Sequence, residues 1–161
     1  MRFQAEHRFV GTVDAVIDVL GDPEFHRALE LPDLAPPEIL KAESNGAGTK
    51  LVLRYVYTGS LDPMVKRFIG VDDLTWRQEI DLDRSTGRGA LRFAADADPK
   101  KLRGQADLVF EATGDGCRRH VDGELKVSIP VVGGMAERAI VPGIVERLDL
   151  EAAALNKRLN A

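Results

Sequence analysis

The sequence predicts an α+β fold: a curved antiparallel sheet of about seven strands wrapped on one long C-terminal helix, in the order β-α-α-β-β-β-β-β-β-α. Three observations carry this expectation. From Ile39 to Ile129 most segments alternate apolar and polar residues with period two, separated by tight-turn signals. From Val132 to Leu159 the apolar residues recur instead at helical spacing, at Val132, Ala136, Ile140, Ile144, Leu148, Leu155 and Leu159. A sheet with one apolar face and a helix with one apolar stripe bury both by packing together.

Taken in order, Arg2 to Val10 places Phe3, Ala5, His7 and Phe9 on one face and charged or polar residues on the other, a half-buried strand. Thr12 suits an N-cap, and Val13, Val16, Ile17 and Leu20 follow at helical spacing. Gly21-Asp22-Pro23 ends that helix, and Pro23 suits the first turn of a second one carrying Phe25, Leu29 and Leu31, closed by Pro32, Pro36 and Pro37. Ile39 to Ser44 predicts a short strand near an edge, followed by a turn over Ser44 to Gly48. Strands are expected over Lys50–Thr58, Asp73–Asp83, Gly89–Ala95, Leu102–Thr113 and Cys117–Ile129, with Gly114-Asp115-Gly116 as a hairpin signal. Gly59 to Asp72 does not alternate; Leu61, Met64, Val65, Phe68 and Ile69 suggest a short amphipathic helix or an apolar loop, a candidate lid.

The totals bound the function classes. At 161 residues and 44% hydrophobic, the chain suits one globular domain, expected to span residues 1–161. Its 22 Lys and Arg against 26 Asp and Glu give a formal charge of −4, which argues against nucleic acid as the main partner. Lys100, Lys101 and Arg103 form a small basic group, read as a solvated loop. Cys117 is the only cysteine, so no intrachain disulfide forms and a reducing cytoplasm is expected. The N-terminal residues lack an apolar h-region, so no signal peptide is expected, and no run approaches a membrane span.

Two further features stand out. Pro142 lacks the N–H that would reach the Arg138 carbonyl, so a bend or break near Ile140 is expected, loosened further by Gly143. Inward strand positions include Ala5, Gly89, Ala95, Gly104, Ala106, Ala112 and Gly123, which mark bends or close approaches and are expected to leave volume on the concave face. A curved sheet, a bent helix and small inward residues together suggest a cavity suited to a small apolar molecule.

The stretch "GELKVSIPVVGGMAERAIVPGIVERLDLEAAALNKRL" resembles the end of the bacterial Domain of Unknown Function 2505 family, whose members run from V-x-I-P-hydrophobic-V-G-G into a helix bearing a glutamate, here Glu137. Pro142-Gly143 departs from the usual pattern of that family. The element order resembles the helix-grip fold of the START/Bet v 1-like (SRPBCC) superfamily over essentially the whole chain. The resemblance implies a hydrophobic tunnel between sheet and helix, and it carries no chemistry.

His7 is the leading polar candidate, inward among Phe3, Ala5 and Phe9; a structural hydrogen bond to a backbone carbonyl or a tyrosine is favoured over ligand contact. Tyr55 and Tyr57 share a face, and Gln78 lies between Trp76 and Ile80 on another. Met64, Phe68, Phe93, Leu108 and Phe110, with Ala136, Ile140 and Ile144 of the long helix, complete the expected pocket lining. Arg119 faces inward by strict alternation, although its place near a hairpin end favours a bulge or exposure. His26 and His120 are expected to face solvent. No metal or cofactor is expected: histidines and Cys117 do not fall at ligand spacing, and Gly133-Gly134 reads as a strand-to-helix corner, not a phosphate loop. Three functions remain open: a carrier or sensor of a lipid, acyl chain or polyketide-like aromatic; a protein-interaction module with a packed interior; and a cyclase-like enzyme pairing His7 with Tyr55 or Gln78. Stable membrane insertion is not expected. The sequence leaves the oligomeric state and the ligand open.

Overall fold

The computed structural model describes residues 1–63, 66–67 and 73–160. Strands β1 (Arg2–Phe9), β2 (Glu38–Ser44), β3 (Gly48–Val56), β4 (Thr75–Asp83), β5 (Arg88–Ala95), β6 (Leu102–Thr113) and β7 (Gly116–Val127) form one curved sheet. Its order is β1-β7-β6-β5-β4-β3-β2, antiparallel throughout. The N-terminal strand thus closes the sheet beside the last one, and β2 lies at the other edge, as its polar sequence predicts. A register shift between Ile39 and Lys41 disturbs that edge, a feature that discourages edge-to-edge pairing.

Helices α1 (Val13–Leu20) and α2 (Pro23–Ala28) fill the crossover from β1 to β2. The Thr12 hydroxyl caps α1 by accepting from the Ala15 amide at 3.1 Å, and the Asp22 carboxylate caps α2 by accepting from the Glu24 amide at 3.0 Å. The second helix is shorter than expected: Leu29 is already extended, so Leu29 and Leu31 lie outside it. Pro32 disfavours helical geometry at Leu31, which leaves no room for another turn. His26 corrects a second expectation. It is buried, and its Nε2–H donates to the Leu20 carbonyl at 2.7 Å. The imidazole thereby satisfies one of the orphan carbonyls at the end of α1 and ties the two short helices together.

The long helix α3 runs unbroken over Gly133–Leu159, with Pro142 inside it. Of the expected bend or break, the break does not occur. Pro142 and Arg138 both lie on the exposed side, so the Arg138 carbonyl that loses its intrahelical donor faces water. Val141, Leu148, Ala152 and Leu155 are buried. The helix starts where Gly133 passes so close to the Val127 carbonyl that a Cβ would overlap it. Glycine is therefore required at this corner, which is how the glycine pair of the C-terminal motif enters the fold. Val131, just before it, holds φ 73° and is fully exposed, a strained conformation for a β-branched residue.

Cross-strand pairing explains the small inward residues. Phe93 is directly opposite Gly104, Phe3 opposite Gly123, and Leu82 opposite Gly89. In each pair the large side chain lies over its glycine, and an added Cβ would overlap it. These glycines therefore do not leave unfilled volume, contrary to expectation; each seats a neighbour's side chain.

Candidate functional site

Helix α3 runs closest to β1 and β7 and stands off the middle of the sheet. Two groups of polar side chains point into the interior on either side of this asymmetry.

The first group lies where α3 meets β1 and β7. His7 and Arg119 are directly opposite on β1 and β7, and both are buried. The Arg119 guanidinium donates to His7 Nδ1, at 3.0 Å from Nη2 and 3.3 Å from Nε, and to Glu151 Oε1 at 2.7 Å. An arginine never accepts, so His7 Nδ1 is the acceptor and its proton sits on Nε2. That Nε2–H donates to Asp149 Oδ1 at 2.8 Å. Burial, and next the Arg119 charge, lower the His7 pKa, with the Asp149 hydrogen bond opposing them. His7 is thus a neutral link between two charged partners, and Arg119 also rests 5.4 Å from the Phe9 ring centroid. The structural role of His7 stands, but its partners are Arg119 and Asp149, not a carbonyl or a tyrosine. With both ring nitrogens engaged, the acid–base pair of His7 with Tyr55 or Gln78 is not assembled.

The second group surrounds Trp76 on β4. Tyr55 is its direct partner on β3, and the two rings stack with centroids 5.7 Å apart. The Arg147 guanidinium of α3 reaches over the Trp76 ring, 6.0 Å from its centroid. Gln78 lies two residues along β4 on the same face, in a rung with Leu53, Phe93, Gly104 and Leu125. Trp76, Gln78 and Phe93 are only half-buried, although they belong to central strands of the inner face. Ala136, Ile140 and Ile144 of α3 are half-buried as well, as is Tyr57 beyond the end of β3. Apolar residues on both layers are therefore incompletely covered between β4, β5 and the N-terminal half of α3.

Among the described residues, the polar groups in this region lack protein partners. Among the described residues neither the Gln78 amide nor the Tyr55 hydroxyl makes a hydrogen bond, and Arg147 makes neither a hydrogen bond nor an ion pair. The Arg147 Nε is buried and unsatisfied. Burial lowers the Arg147 pKa, opposed by the Tyr57, Asp33 and Glu146 fields. Burial, and then the Glu151 charge, push the Tyr55 hydroxyl well above its usual pKa, so it remains a neutral donor.

The other sequence candidates divide cleanly. Leu108 and Phe110 are buried in the core, about 13 Å or more along β6 from Gly104 at the strand's rise of about 3.3 Å per residue. Met64 and Phe68, with Val65 and Ile69 of the candidate lid, lie outside the described residues. His120 is on the outer face between Glu6 and Glu111, at 3.4 and 3.6 Å. Cys117 is buried, and burial raises its thiol pKa. No cluster able to hold a metal is present among the described residues, and no helix there is long and apolar enough to cross a membrane. Sequence reasoning missed Asp149, Glu151 and Arg147. The signal for Arg147 was its place three residues after Ile144 on the helical stripe; for Arg119 it was the strict alternation of β7.

The outer face carries a different feature. Arg77, Arg92, Arg103 and Lys126, with Glu79 and Glu124, line an open groove of about 700 Å³. Its charged and open lining suits solvent.

Comparison with known proteins places the fold. The family model described as "Protein of unknown function (DUF2505)" matches residues 4–159. No curated protein matches the chain. Among solved structures, the protein TTHA0849 from Thermus thermophilus is similar at 19% identity, covering 98% of this chain and 96% of that one, with a TM-score of 0.68. The STAR-related lipid transfer protein from Xanthomonas axonopodis is similar at 18% identity, covering 99% and 86%, with a TM-score of 0.64. A START superfamily protein from Mycobacterium smegmatis is similar at 15% identity, covering 99% and 96%, with a TM-score of 0.57. At these identities the likeness concerns the fold, which is the helix-grip fold of START and Bet v 1-like proteins.

Proposed function

The chain belongs to the DUF2505 family, and from that premise we propose that it is a binding or carrier protein for a small hydrophobic molecule held between the sheet and α3. The observation that carries this reading is the incomplete cover around Trp76. There, half-buried apolar residues from both layers surround polar groups that no described residue satisfies. Native proteins pair their buried polar atoms, and a concave apolar site with a few unpaired polar groups is the usual form of a ligand pocket. The fold shared with a protein named for lipid transfer supports the same reading.

An interaction module would instead present a contiguous exposed apolar patch. Among the described residues the exposed large apolar side chains are spread over the chain: Val10 after β1, Val56 on β3 and Leu150 in the second half of α3, with Met1, Val131 and Met135 near the start of α3. An enzymatic role lacks its expected acid–base pair, because His7 is held by Arg119 and Asp149.

Native mass spectrometry tests the proposal. The protein is incubated with dodecan-1-ol, dodecanoate and 2-naphthol, and each sample is compared with its denatured mass. One-to-one adducts that vanish on denaturation are expected. The bare mass alone across all three ligands overturns the reading.

A further inference from the structure

Arg147 is an inward cation that the fold leaves unpaired among the described residues. It projects from α3 one turn before Glu151, the carboxylate best placed to meet it at i,i+4 spacing. Glu151 is instead held by Arg119 at 2.7 Å. The Arg147 side chain runs back along the helix toward Gly143, with Nη1 3.7 Å from where a Cβ would stand there, and its guanidinium settles over Trp76 at 6.0 Å. A half-buried guanidinium with an orphaned Nε is costly unless something supplies acceptors. Two neutral groups without described partners share the Trp76 neighbourhood: the Tyr55 hydroxyl, on the ring stacked against Trp76, and the Gln78 amide, two residues from Trp76 on the same face. One cation and two neutral donors, set beside incompletely covered apolar residues, define a head-group site.

Resting on the pocket reading above, we propose that the bound molecule is an amphipathic carboxylate, its acid group held by Arg147 with Gln78 and Tyr55 as secondary donors and its apolar tail along Phe93, Ile140 and Ile144. A guanidinium matches a carboxylate in two parallel hydrogen bonds. The charge of the site selects against a phosphate. Asp33 and Glu146 already act on Arg147, and Glu151 acts on Tyr55, so a second negative charge on the ligand would be repelled.

Isothermal titration calorimetry with dodecanoate and dodecan-1-ol tests this on the wild-type protein and on Arg147→Met, with Arg147→Lys and Gln78→Met as further variants. The tail is the same in both probes, so their ratio reads the head-group site alone. The wild type is expected to bind dodecanoate at least about tenfold more tightly than the alcohol, in keeping with a charge-assisted hydrogen bond. In Arg147→Met the preference should fall to near unity while the alcohol binds as before; Arg147→Lys should keep part of it, and Gln78→Met most of it. Equal binding of the two probes by the wild type overturns the head-group assignment and leaves the apolar pocket standing. A preference that persists in Arg147→Met also overturns it. If neither probe binds the wild type, the pocket reading fails and the head-group site falls with it.

Discussion

His7 and Arg119 show how a single cross-strand pair joins the two layers. Arg119 is buried between His7 and Glu151, and buried ions are tolerated only when their donors are met. Here β1 and α3 each supply a partner to the arginine of β7, so the helix is fixed to this end of the sheet by hydrogen bonds as well as by packing. The linkage has a definite sign. The His7 pKa is lowered in the fold from its reference value of 6.5, so below that value the unfolded chain binds a proton that the folded one refuses. Stability from this residue is fully present above pH 6.5 and is lost as pH falls toward the folded pKa. Thermal melts between about pH 7 and 5 should show a declining Tm, and the decline should be shallower in His7→Gln, which keeps a polar side chain without titrating. Equal slopes for the two proteins would remove His7 from the acid response. The inward orientation of His7 and Arg119 was legible from alternation alone. Their helix partners were not, because the sequence does not say which turn of a 27-residue helix faces which rung of the sheet.

Pro142 belongs to the scale of the element. Proline in a helix interior costs about 3 kcal/mol relative to alanine, yet α3 continues through it, with the lost hydrogen bond on the wet side. Pro142→Ala restores the Arg138 acceptor's donor, and its melting temperature should rise, by a stabilisation of up to about 3 kcal/mol. A lower melting temperature would show instead that the proline shapes α3 for its seat on β1 and β7. The strands teach a related lesson. Their glycines suggested empty space, but composition does not reveal what stands opposite. Register does: each of Gly89, Gly104 and Gly123 faces a large side chain that occupies the position of the missing one. The order of strands and helices was legible because period-two and helical patterns are local. The length of α2 and the burial of His26 depended on how two short helices meet, which no single pattern encodes.

For the whole molecule, the governing feature is uneven cover. The end of the sheet built from Phe3, Phe9, Leu108, Phe110 and Val121 is fully packed, whereas the region of Trp76, Gln78 and Phe93 is only partly covered by α3. Most of the candidate pocket residues were legible as inward positions. Which of them would be sealed and which left open was not, since that depends on the line α3 takes across the sheet. The central claim, a binding site for an apolar molecule around Trp76, has a built-in reporter, because Trp76 is the only tryptophan in the chain. The most direct measurement is quenching of its fluorescence by brominated alkyl chains, titrated beside free tryptophan. The account predicts saturable quenching with one site per chain. Linear quenching that matches free tryptophan at every chain length would contradict it.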